Sequence, residues 1–321
     1  MFMNGKLVVE SIAKANGYIK ELPYPNKLGL WLNAIKCFLL YGATPSDWKF
    51  YEMYKYNHRE NKEIITNRKS NELDRLFNPR EYAQDFDDKV QFNKLYSSFV
   101  RRNWLYTEGK TNSEVEDFIK SNHEVVVKPI NLSSGRGIYL YRYEVETIAD
   151  LLNDLSKGIY LLEQKIELVE ELKQLNPESC QTLRITSMVN KSGGVEILAA
   201  AIRVGGGKSI VDNFHAKGVA YPIDVNEGII SGLGKDLNNN YYLRHPSTGI
   251  VMPGYKIPQW DVIISFVKKA ALQNPKARWI GWDVALTPNG CEMVEGNYLV
   301  NCNFLQTSDK KGKYSWIKSF L

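Results

Sequence analysis

Two acidic positions near the C-terminal end, separated by a turn, constrain the fold of this chain more than any other feature. The run Trp279–Leu286 is mostly apolar, as expected for a buried strand, and contains Asp283. Residues 287–290 read Thr-Pro-Asn-Gly, which is typical of a turn, and a second strand-like run ends at Glu295. Antiparallel pairing across the turn places Asp283 beside Glu295, and Asn297 points the same way because strand side chains alternate. The pattern therefore predicts a β-hairpin on which three oxygen-bearing side chains converge.

These three side chains are candidate metal ligands. A carboxylate inside an apolar run is rarely buried unless it is paired or bound to a metal. Carboxylate and amide oxygens suit Mg²⁺, with Mn²⁺ as a possible substitute, and Mg²⁺ commonly shares its ligands with substrate phosphates. We interpret Asp283, Glu295 and Asn297 as a magnesium site. Pairing of the buried acid with an arginine is the alternative.

A candidate phosphate site lies earlier in the chain, where a β-branched strand ends in Lys128. The loop that follows contains Ser133, Ser134, Gly135, Arg136 and Gly137, and the next strand begins at Ile138. Glycine allows close backbone approach, and successive N–H groups in such a loop form an anion-binding concavity. A lysine at the end of a valine-rich strand is explained by a phosphate contact. The loop is neither a Walker loop nor a dinucleotide fingerprint, and a hairpin loop without ligand is the alternative.

Two arginines are embedded in apolar strand-like runs, Arg184 within 182–188 and Arg203 within 199–204. Each requires an anionic partner, either an internal carboxylate or a bound phosphate, and the nearby phosphate candidates favour the second. Asp212 and Asn213 lie in a polar segment between two strand-like runs. They are candidate substrate-binding residues, with a simple turn as the alternative.

Composition bounds the class of protein. The chain has 321 residues, is 44% hydrophobic and 24% charged, and carries a net charge of +5, which is typical of a globular protein with two or three subdomains. The basic residues are not interleaved with aromatic residues as in a nucleic-acid platform, so we expect no nucleic-acid partner. No apolar run is long enough to cross a bilayer, and no signal peptide is evident, so we expect a cytoplasmic protein. The four cysteines suggest neither a zinc site nor a disulfide framework.

The first 120 residues are predicted to be largely helical. Helical spacing is clear over Lys27–Tyr41, where it relates a group of large apolar residues that we interpret as a core-facing stripe: Leu28, Trp31, Leu32, Ile35 and Leu39. Helical patterns continue to about Ser121, and the first sheet is expected to begin at Val125.

In their order along the chain, these motifs resemble the ATP-grasp superfamily, and more narrowly its sugar-transfer-associated family. The resemblance rests on Lys128-Pro129 with the loop 134–137, Leu162–Ile166, Gln181–Ile185 and the hairpin from Gly281 to Asn297, and it extends from about Lys27 to the C-terminus. It implies an α+β fold in which two α+β subdomains hold ATP, preceded here by a helical N-terminal layer. The expected division is 1–120 for the helical region, 121–165 for the small subdomain and 166–321 for the C-terminal subdomain.

The resemblance also implies roles for individual residues. Lys94 and Lys128 would contact phosphates of ATP under the loop 133–137, and Arg184 and Arg203 would contact the γ-phosphate or an acyl phosphate. Glu163 would hold the adenine edge. The backbone groups of the linking segment would assist it, at Gln164, Lys165 and Ile166.

The activity implied is that of an ATP-dependent carboxylate–amine ligase that forms an amide through an acyl phosphate. Small molecules, sugar nucleotides or glycans are the expected substrates, in cell-surface polysaccharide biosynthesis, and the protein could be a homo-oligomer. A kinase acting on a sugar hydroxyl and a non-catalytic nucleotide-binding module are the alternatives. The chain departs from the family pattern after Asn297, where Tyr298–Asn303 replaces a Pro-Gly turn.

Overall fold

The computed structural model describes residues 5–132, 136–207, 218–307 and 311–321. The N-terminal part is helical, as expected, up to the start of the first sheet. The helices are α1 Gly5–Glu21, α2 Lys27–Tyr41, α3 Pro45–Phe50, α4 His58–Glu63, α5 Asn67–Phe77, α6 Arg80–Asp87 and α7 Lys89–Leu95. None of the helices in the described ranges is long and apolar enough to cross a membrane.

Local signals set the ends of α2. Asn26 caps its start, since the Asn26 side chain accepts a hydrogen bond from the Gly29 amide at 2.8 Å. Gly42 ends it in a left-handed conformation with φ 65°. A Cβ at Gly42 would lie 2.4 Å from the Cδ of Arg68, so close packing as well as φ favours glycine there.

The stripe that was expected to face the core faces outward, so that prediction was wrong for four of its five members. They are the aliphatic ones, with side chains 71%, 60%, 48% and 68% exposed: Leu28, Leu32, Ile35 and Leu39. The opposite face of α2 is buried, and it packs with α1 and α3 through Leu30, Cys37 and Tyr41. Trp31 is only partly buried against this cluster. Because α2 is apolar on both faces, spacing alone could not identify the face that packs.

The first of two sheets has four antiparallel strands in the order β1-β4-β2-β3. Helices α8 Asn112–Asn122 and α9 Ile148–Leu155 pack on it through a shared apolar cluster. Its strands are β1 Trp104–Tyr106, β2 Glu124–Pro129, β3 Tyr139–Arg142 and β4 Tyr160–Gln164. The expectation that the first sheet begins at Val125 was wrong, because β1 is only three residues long and lacks a detectable alternation.

The second sheet has seven strands in the order β11-β10-β5-β6-β7-β8-β9, all antiparallel. Helix α11 Trp260–Ala271 packs on β5, β6 and β10 and covers the main core, while α10 Glu170–Lys173, α12 Cys302–Thr307 and α13 Tyr314–Lys318 are short. The strands are β5 Thr182–Val189, β6 Val195–Val204, β7 Val219–Ile223, β8 Gly234–Lys235, β9 Tyr241–Tyr242, β10 Trp279–Thr287 and β11 Gly290–Asn297.

The two sheets with their helices confirm the α+β class. The packing of α8 on the first sheet also bears on the domain division, because residues 112–122 belong with that sheet rather than with the helical region. We propose that the small subdomain begins near residue 103 instead of residue 121, and that the C-terminal subdomain follows β4.

Candidate functional site

A cavity of about 600 Å³ lies between the two sheets. β2 and β4 contribute residues from the first sheet, and β5, β6, β10 and β11 contribute residues from the second. Most of the site residues expected from the sequence line it: Lys128, Glu163, Gln164, Lys165, Ile166, Arg184, Arg203, Asp283, Glu295 and Asn297. Residues more than 160 positions apart in the chain thus meet at one surface.

The predicted hairpin places its acidic residues as expected. β10 pairs with β11 so that Asp283 lies opposite Glu295 and Gly281 lies opposite Asn297, with a register shift after Asp283. The Asn297 amide nitrogen donates to the Gly281 carbonyl oxygen at 3.3 Å and lies 3.3 Å from Glu295 Oε1. The strand pairing and the convergence of the three side chains are therefore seen in the structure, while their role as metal ligands stays a prediction.

Asp283 is fully buried and pairs with both arginines that the sequence singled out. Its Oδ1 lies 2.9 Å from Arg184 Nε, and its Oδ2 lies 3.1 Å from Arg203 Nη2. The register explains this meeting, since Asp283 is opposite Arg184 on β5 and Thr182 is opposite Arg203 on β6. The Thr182 hydroxyl also accepts from Arg203 Nη2 at 2.6 Å. The internal ion pair, which was the alternative to a phosphate contact, is present for both arginines.

The two hairpin carboxyls titrate in opposite directions. Burial raises the pKa of Asp283 to about 7 despite the two arginines, and the adjacent charge of Glu295 adds to the rise. Burial acts in the same sense on Glu295, but the hydrogen bond from Asp283 and the positive charges of Arg184, Arg203 and Lys128 outweigh it, so its pKa lies below the ordinary value. The pKa values of the two carboxyl groups are therefore shifted apart, with Asp283 titrating near neutral pH and Glu295 ionised there.

The absence of a side chain at Gly281 leaves space for the Arg184 guanidinium. A Cβ at Gly281 would come within 3.0 Å of Arg184 Nη1, which is closer than ordinary van der Waals contact. The same guanidinium nitrogen lies 3.5 Å from the Gly281 carbonyl oxygen. A glycine at this point of β10 thus leaves room for the guanidinium beside the strand.

Glu163 lies in a buried network that joins both sheets. Its carboxylate contacts the Lys128 ammonium, and its Oε1 lies 2.8 Å from Arg102 Nη2 and 3.3 Å from the Asn93 amide nitrogen. Arg102 in turn reaches β11, with its Nη1 2.6 Å from Glu292 Oε1. These charges hold the pKa of Glu163 well below its usual range although burial opposes them.

This network was missed by sequence reasoning, except for Lys128 and Glu163 themselves. Arg102 follows a second arginine just before a short strand, and Glu292 is one acid among several near the hairpin, so neither carries a local signal. Glu163 is held by protein groups through its side chain. An adenine contact by that side chain stays a prediction that competes with these partners.

Residues 164–166, the segment that links the two subdomains, also make hydrogen bonds and an ion pair within the protein. The Gln164 amide donates to the Asn103 carbonyl oxygen at 2.8 Å, and the Lys165 amide donates to the Glu124 carbonyl oxygen at 3.1 Å. The Lys165 ammonium lies 2.7 Å from Glu124 Oε2. Gln164, Lys165 and Ile166 nevertheless border the cavity, as the resemblance implies.

Lys94 does not reach the cavity. It lies exposed on α7 and is not among the lining residues, whereas Lys89, at the start of the same helix, lines the cavity and donates to the Leu132 carbonyl oxygen at 3.1 Å. The phosphate contact expected of Lys94 is therefore not supported by its position. Helical geometry explains the difference, because positions five apart on a helix project in different directions.

Several expected site residues lie outside the described residues. These are Ser133, Ser134 and Gly135 of the phosphate loop and the candidate substrate residues Asp212 and Asn213. Arg136 and Gly137, at the end of the loop, are exposed and border the lining residue Ile138 without lining the cavity themselves. Gly137 has a φ of 70°, which favours glycine at this turn.

Within the described ranges, no group of three or more His, Cys, Asp or Glu side chains is placed to hold a metal ion. The hairpin site has two carboxyl groups and an amide. Its capacity for a cation therefore depends on Asn297 and on bound substrate or water for further ligands.

Comparison with known proteins gave a family match that spans most of the chain. The family model described as sugar-transfer associated ATP-grasp matches residues 68–320, a start later than the Lys27 expected from the motifs. No curated protein matches the sequence significantly.

Solved structures give more distant similarity. A complex of the ATP-grasp ligase PsnB with a phosphomimetic variant of its minimal precursor, Mg and ADP has 11% identity and a TM-score of 0.47 over 76% of this chain and 60% of that chain. The ADP complex of PurK, an N5-carboxyaminoimidazole ribonucleotide synthetase, has 9% identity and a TM-score of 0.48 over 74% and 52%. D-alanyl-alanine synthetase A from Vibrio cholerae has 11% identity and a TM-score of 0.45 over 75% and 66%. The chain thus spans between half and two thirds of the length of these proteins.

Proposed function

Because the chain belongs to the sugar-transfer-associated ATP-grasp family, we propose that it is an ATP-dependent ligase that joins a carboxylate to an amine and releases ADP and phosphate. The observation that carries this proposal is the cavity between the two sheets. One wall presents Lys128, and the other presents Arg184 and Arg203 beside the carboxyl groups of the hairpin. Cations for phosphate oxygens and oxygen ligands for a metal thus face one space of about 600 Å³, a volume suited to a nucleotide and a small substrate.

Lys128 and Lys89 are the proposed phosphate contacts on the side of the first sheet. Lys128 lies near the end of β2 at the cavity, and Lys89 enters from the start of α7 beside Leu132. Each ammonium supplies a point charge that can follow a phosphate oxygen as it moves. Lys128 already contacts Glu163, so the carboxylate orients the ammonium before the substrate binds.

The residues of the hairpin fit a divalent cation. Glu295 reaches solvent through the cavity, Asn297 Nδ2 lies 3.3 Å from Glu295 Oε1, and Asp283 is opposite Glu295 on the paired strand, so oxygen atoms of all three side chains are available on one side of the hairpin. We propose that Glu295 and Asn297 bind Mg²⁺ directly and that Asp283 contributes while it holds the two arginines. When bound there, the ion would neutralise charge on the β- and γ-phosphate oxygens.

The proposed reaction has two steps. An oxygen of the substrate carboxylate forms a bond to the γ-phosphorus as the bond to ADP breaks, giving an acyl phosphate. The amine nitrogen then bonds to the carbonyl carbon, and phosphate leaves as the nitrogen loses a proton. Arg184 and Arg203 are the proposed contacts for the transferred phosphoryl oxygens, since Asp283 fixes both guanidinium groups at the cavity wall.

The family description supports a role connected with sugar transfer. We propose polysaccharide biosynthesis as the setting, with an amino acid or amino sugar joined to a uronic acid. A kinase acting on a sugar hydroxyl would use the same phosphate and metal residues, and it is a distinct outcome of the experiment below.

The test is ³¹P NMR of the purified protein with Mg·ATP, pooled amino acids and pooled nucleotide-linked uronic acids. If the protein is the proposed ligase, ADP and inorganic phosphate should form only when both pools are present. ADP with a new phosphomonoester signal and no free phosphate would establish the kinase instead, and no ADP under any condition would contradict both activities on these substrates.

Two variants make this test specific for the hairpin. Glu295→Gln removes a charged ligand and should lower ATP turnover at least ~100-fold, as expected for lost charge stabilisation of the transferring phosphoryl group. Glu196→Gln is the matched control, since Glu196 is an exposed glutamate on β6 of the same sheet and does not line the cavity. Near-normal turnover of Glu295→Gln would contradict the metal assignment.

A further inference from the structure

The outward face of α2 is an uncovered apolar stripe. Leu28, Leu32, Ile35 and Leu39 follow one another at intervals of four, three and four, so they form a continuous line along one side of the helix. Their side chains are between 48% and 71% exposed, and Phe38 beside them is 44% exposed. Below we call these five residues the α2 stripe.

A surface of this kind indicates a binding face. Single exposed apolar residues are common, but a contiguous row of large ones marks contact with a partner or a membrane. The hairpin of α1 and α2 also lies before residue 68, where the match to the family model begins. The stripe therefore belongs to a part of this chain beyond the matched catalytic module, and it requires an explanation of its own.

Charge indicates what covers the stripe. α2 contains Lys27 and Lys36 and no acidic residue, and α1 and α2 together carry five lysines and two glutamates. One of these glutamates, Glu21, is already paired with Lys49 at 2.9 Å. A second copy meeting the stripe across a two-fold axis would bring these lysines towards each other, which opposes self-association.

We propose that the α2 stripe docks the protein on an anionic lipid bilayer, with α2 lying in the plane of the interface. Helices that combine an apolar face with flanking lysines bind in this way, since the apolar side chains enter the acyl boundary and the lysines face the lipid head groups. α2 has 15 residues and a length of about 22 Å, so the whole stripe can lie flat on the surface at once.

The experiment is sedimentation of the full-length protein with vesicles of phosphatidylcholine alone or of phosphatidylcholine mixed with phosphatidylglycerol. The proposal expects binding to the mixed vesicles, weaker binding to phosphatidylcholine, and loss at high salt. The double variant Leu32→Glu with Leu39→Glu should bind ~100-fold more weakly, because two exposed leucines that would enter the acyl boundary are replaced by anions. Lys36→Gln should weaken binding about fivefold, since each lysine near an anionic surface contributes roughly 1 kcal/mol.

Leu272→Glu is the matched control, because Leu272 is a leucine of similar exposure, 49%, just beyond α11. It should bind like the unmodified protein, and all variants should show the same thermal unfolding because the substituted side chains are exposed. Failure of the protein to sediment with either vesicle would overturn the proposal. So would a dimer in light scattering that dissociates in the Leu32→Glu with Leu39→Glu variant while vesicles bind neither form, since a second copy would then cover the stripe.

Discussion

Replacing Arg102 by methionine should be among the most damaging single changes outside the hairpin. The guanidinium is buried, and it donates to Glu163 Oε1 at 2.8 Å, to Glu292 Oε1 at 2.6 Å and to the Met293 carbonyl oxygen at 2.6 Å. Methionine keeps an unbranched apolar stem but is shorter and uncharged, so Glu163 is left with one cation, Lys128, and Glu292 loses the Arg102 guanidinium and keeps the backbone amides of residues 101 and 102.

Removal of one partner from a buried ion pair costs roughly 3–5 kcal/mol, because the remaining charge loses compensation without regaining water. A loss of about 4 kcal/mol, at an unfolding entropy of about 2.1 cal/mol/K per residue over 321 residues, lowers the melting temperature by roughly 6 °C. Differential scanning calorimetry at pH 7 measures this shift. Arg142→Met is the control, since it breaks the exposed pair of Arg142 Nε and Glu124 Oε1 at 3.0 Å and should cost less than about 1 kcal/mol.

The pH dependence of the stability loss tests whether the ionised Glu163 carboxylate is its cause. Because the native pKa of Glu163 lies below its unfolded value, its ionisation stabilises the fold above the ordinary glutamate pKa, and that stability is lost as the pH falls. The difference between the native protein and Arg102→Met should therefore be largest near pH 7 and should shrink below about pH 4.5. A shift no larger than that of the Arg142→Met control would refute the reasoning.

Three further predictions concern a buried carboxyl group, a glycine beside Arg184 and two lysines of α7. Burial raises the pKa of Asp74 to about 7, so the native state holds a proton that the unfolded state releases, and stability should fall as pH rises from about 4 to 7. Asp74→Asn should remove this slope in urea titrations. Gly281→Ala should displace the Arg184 guanidinium and lower ATP turnover about tenfold or more, with little change in melting temperature. Lys89→Ala should raise the KM for ATP roughly 10- to 100-fold, whereas Lys94→Ala should leave it unchanged.

The C-terminal hairpin could be predicted from sequence because its partners are local. A mostly apolar strand and a turn of the expected composition predict the antiparallel pairing that brings Asp283 near Glu295. The structure has this pairing, and the register shift after Asp283 places it directly opposite Glu295. The two arginines could be singled out as cations in apolar strands, but their shared partner could not. That meeting depends on the order β10-β5-β6, which no local pattern encodes.

The contacts of Arg102 could not be predicted from local sequence patterns either. Its partners Glu163 and Glu292 lie 61 and 190 positions away, so only the folded arrangement of two sheets brings them together. The prediction that this face of α2 packs in the core was wrong for a different reason. Periodicity reports that a helix has an apolar face, and α2 has two, so the pattern could not say which of them the chain itself covers.

The walls of the cavity carry nearly equal numbers of opposite charges. Among the described residues that line it, seven are lysines or arginines and six are aspartates or glutamates. The net charge of +5 on the whole chain is thus not concentrated where a nucleotide would bind. A free polyanion approaching such a surface gains little from long-range attraction, so its capture should depend only weakly on ionic strength. If the proposed nucleotide binds there, near-neutral walls would favour a ligand that brings its own counter-ion, so the metal-bound nucleotide would be favoured over the bare one.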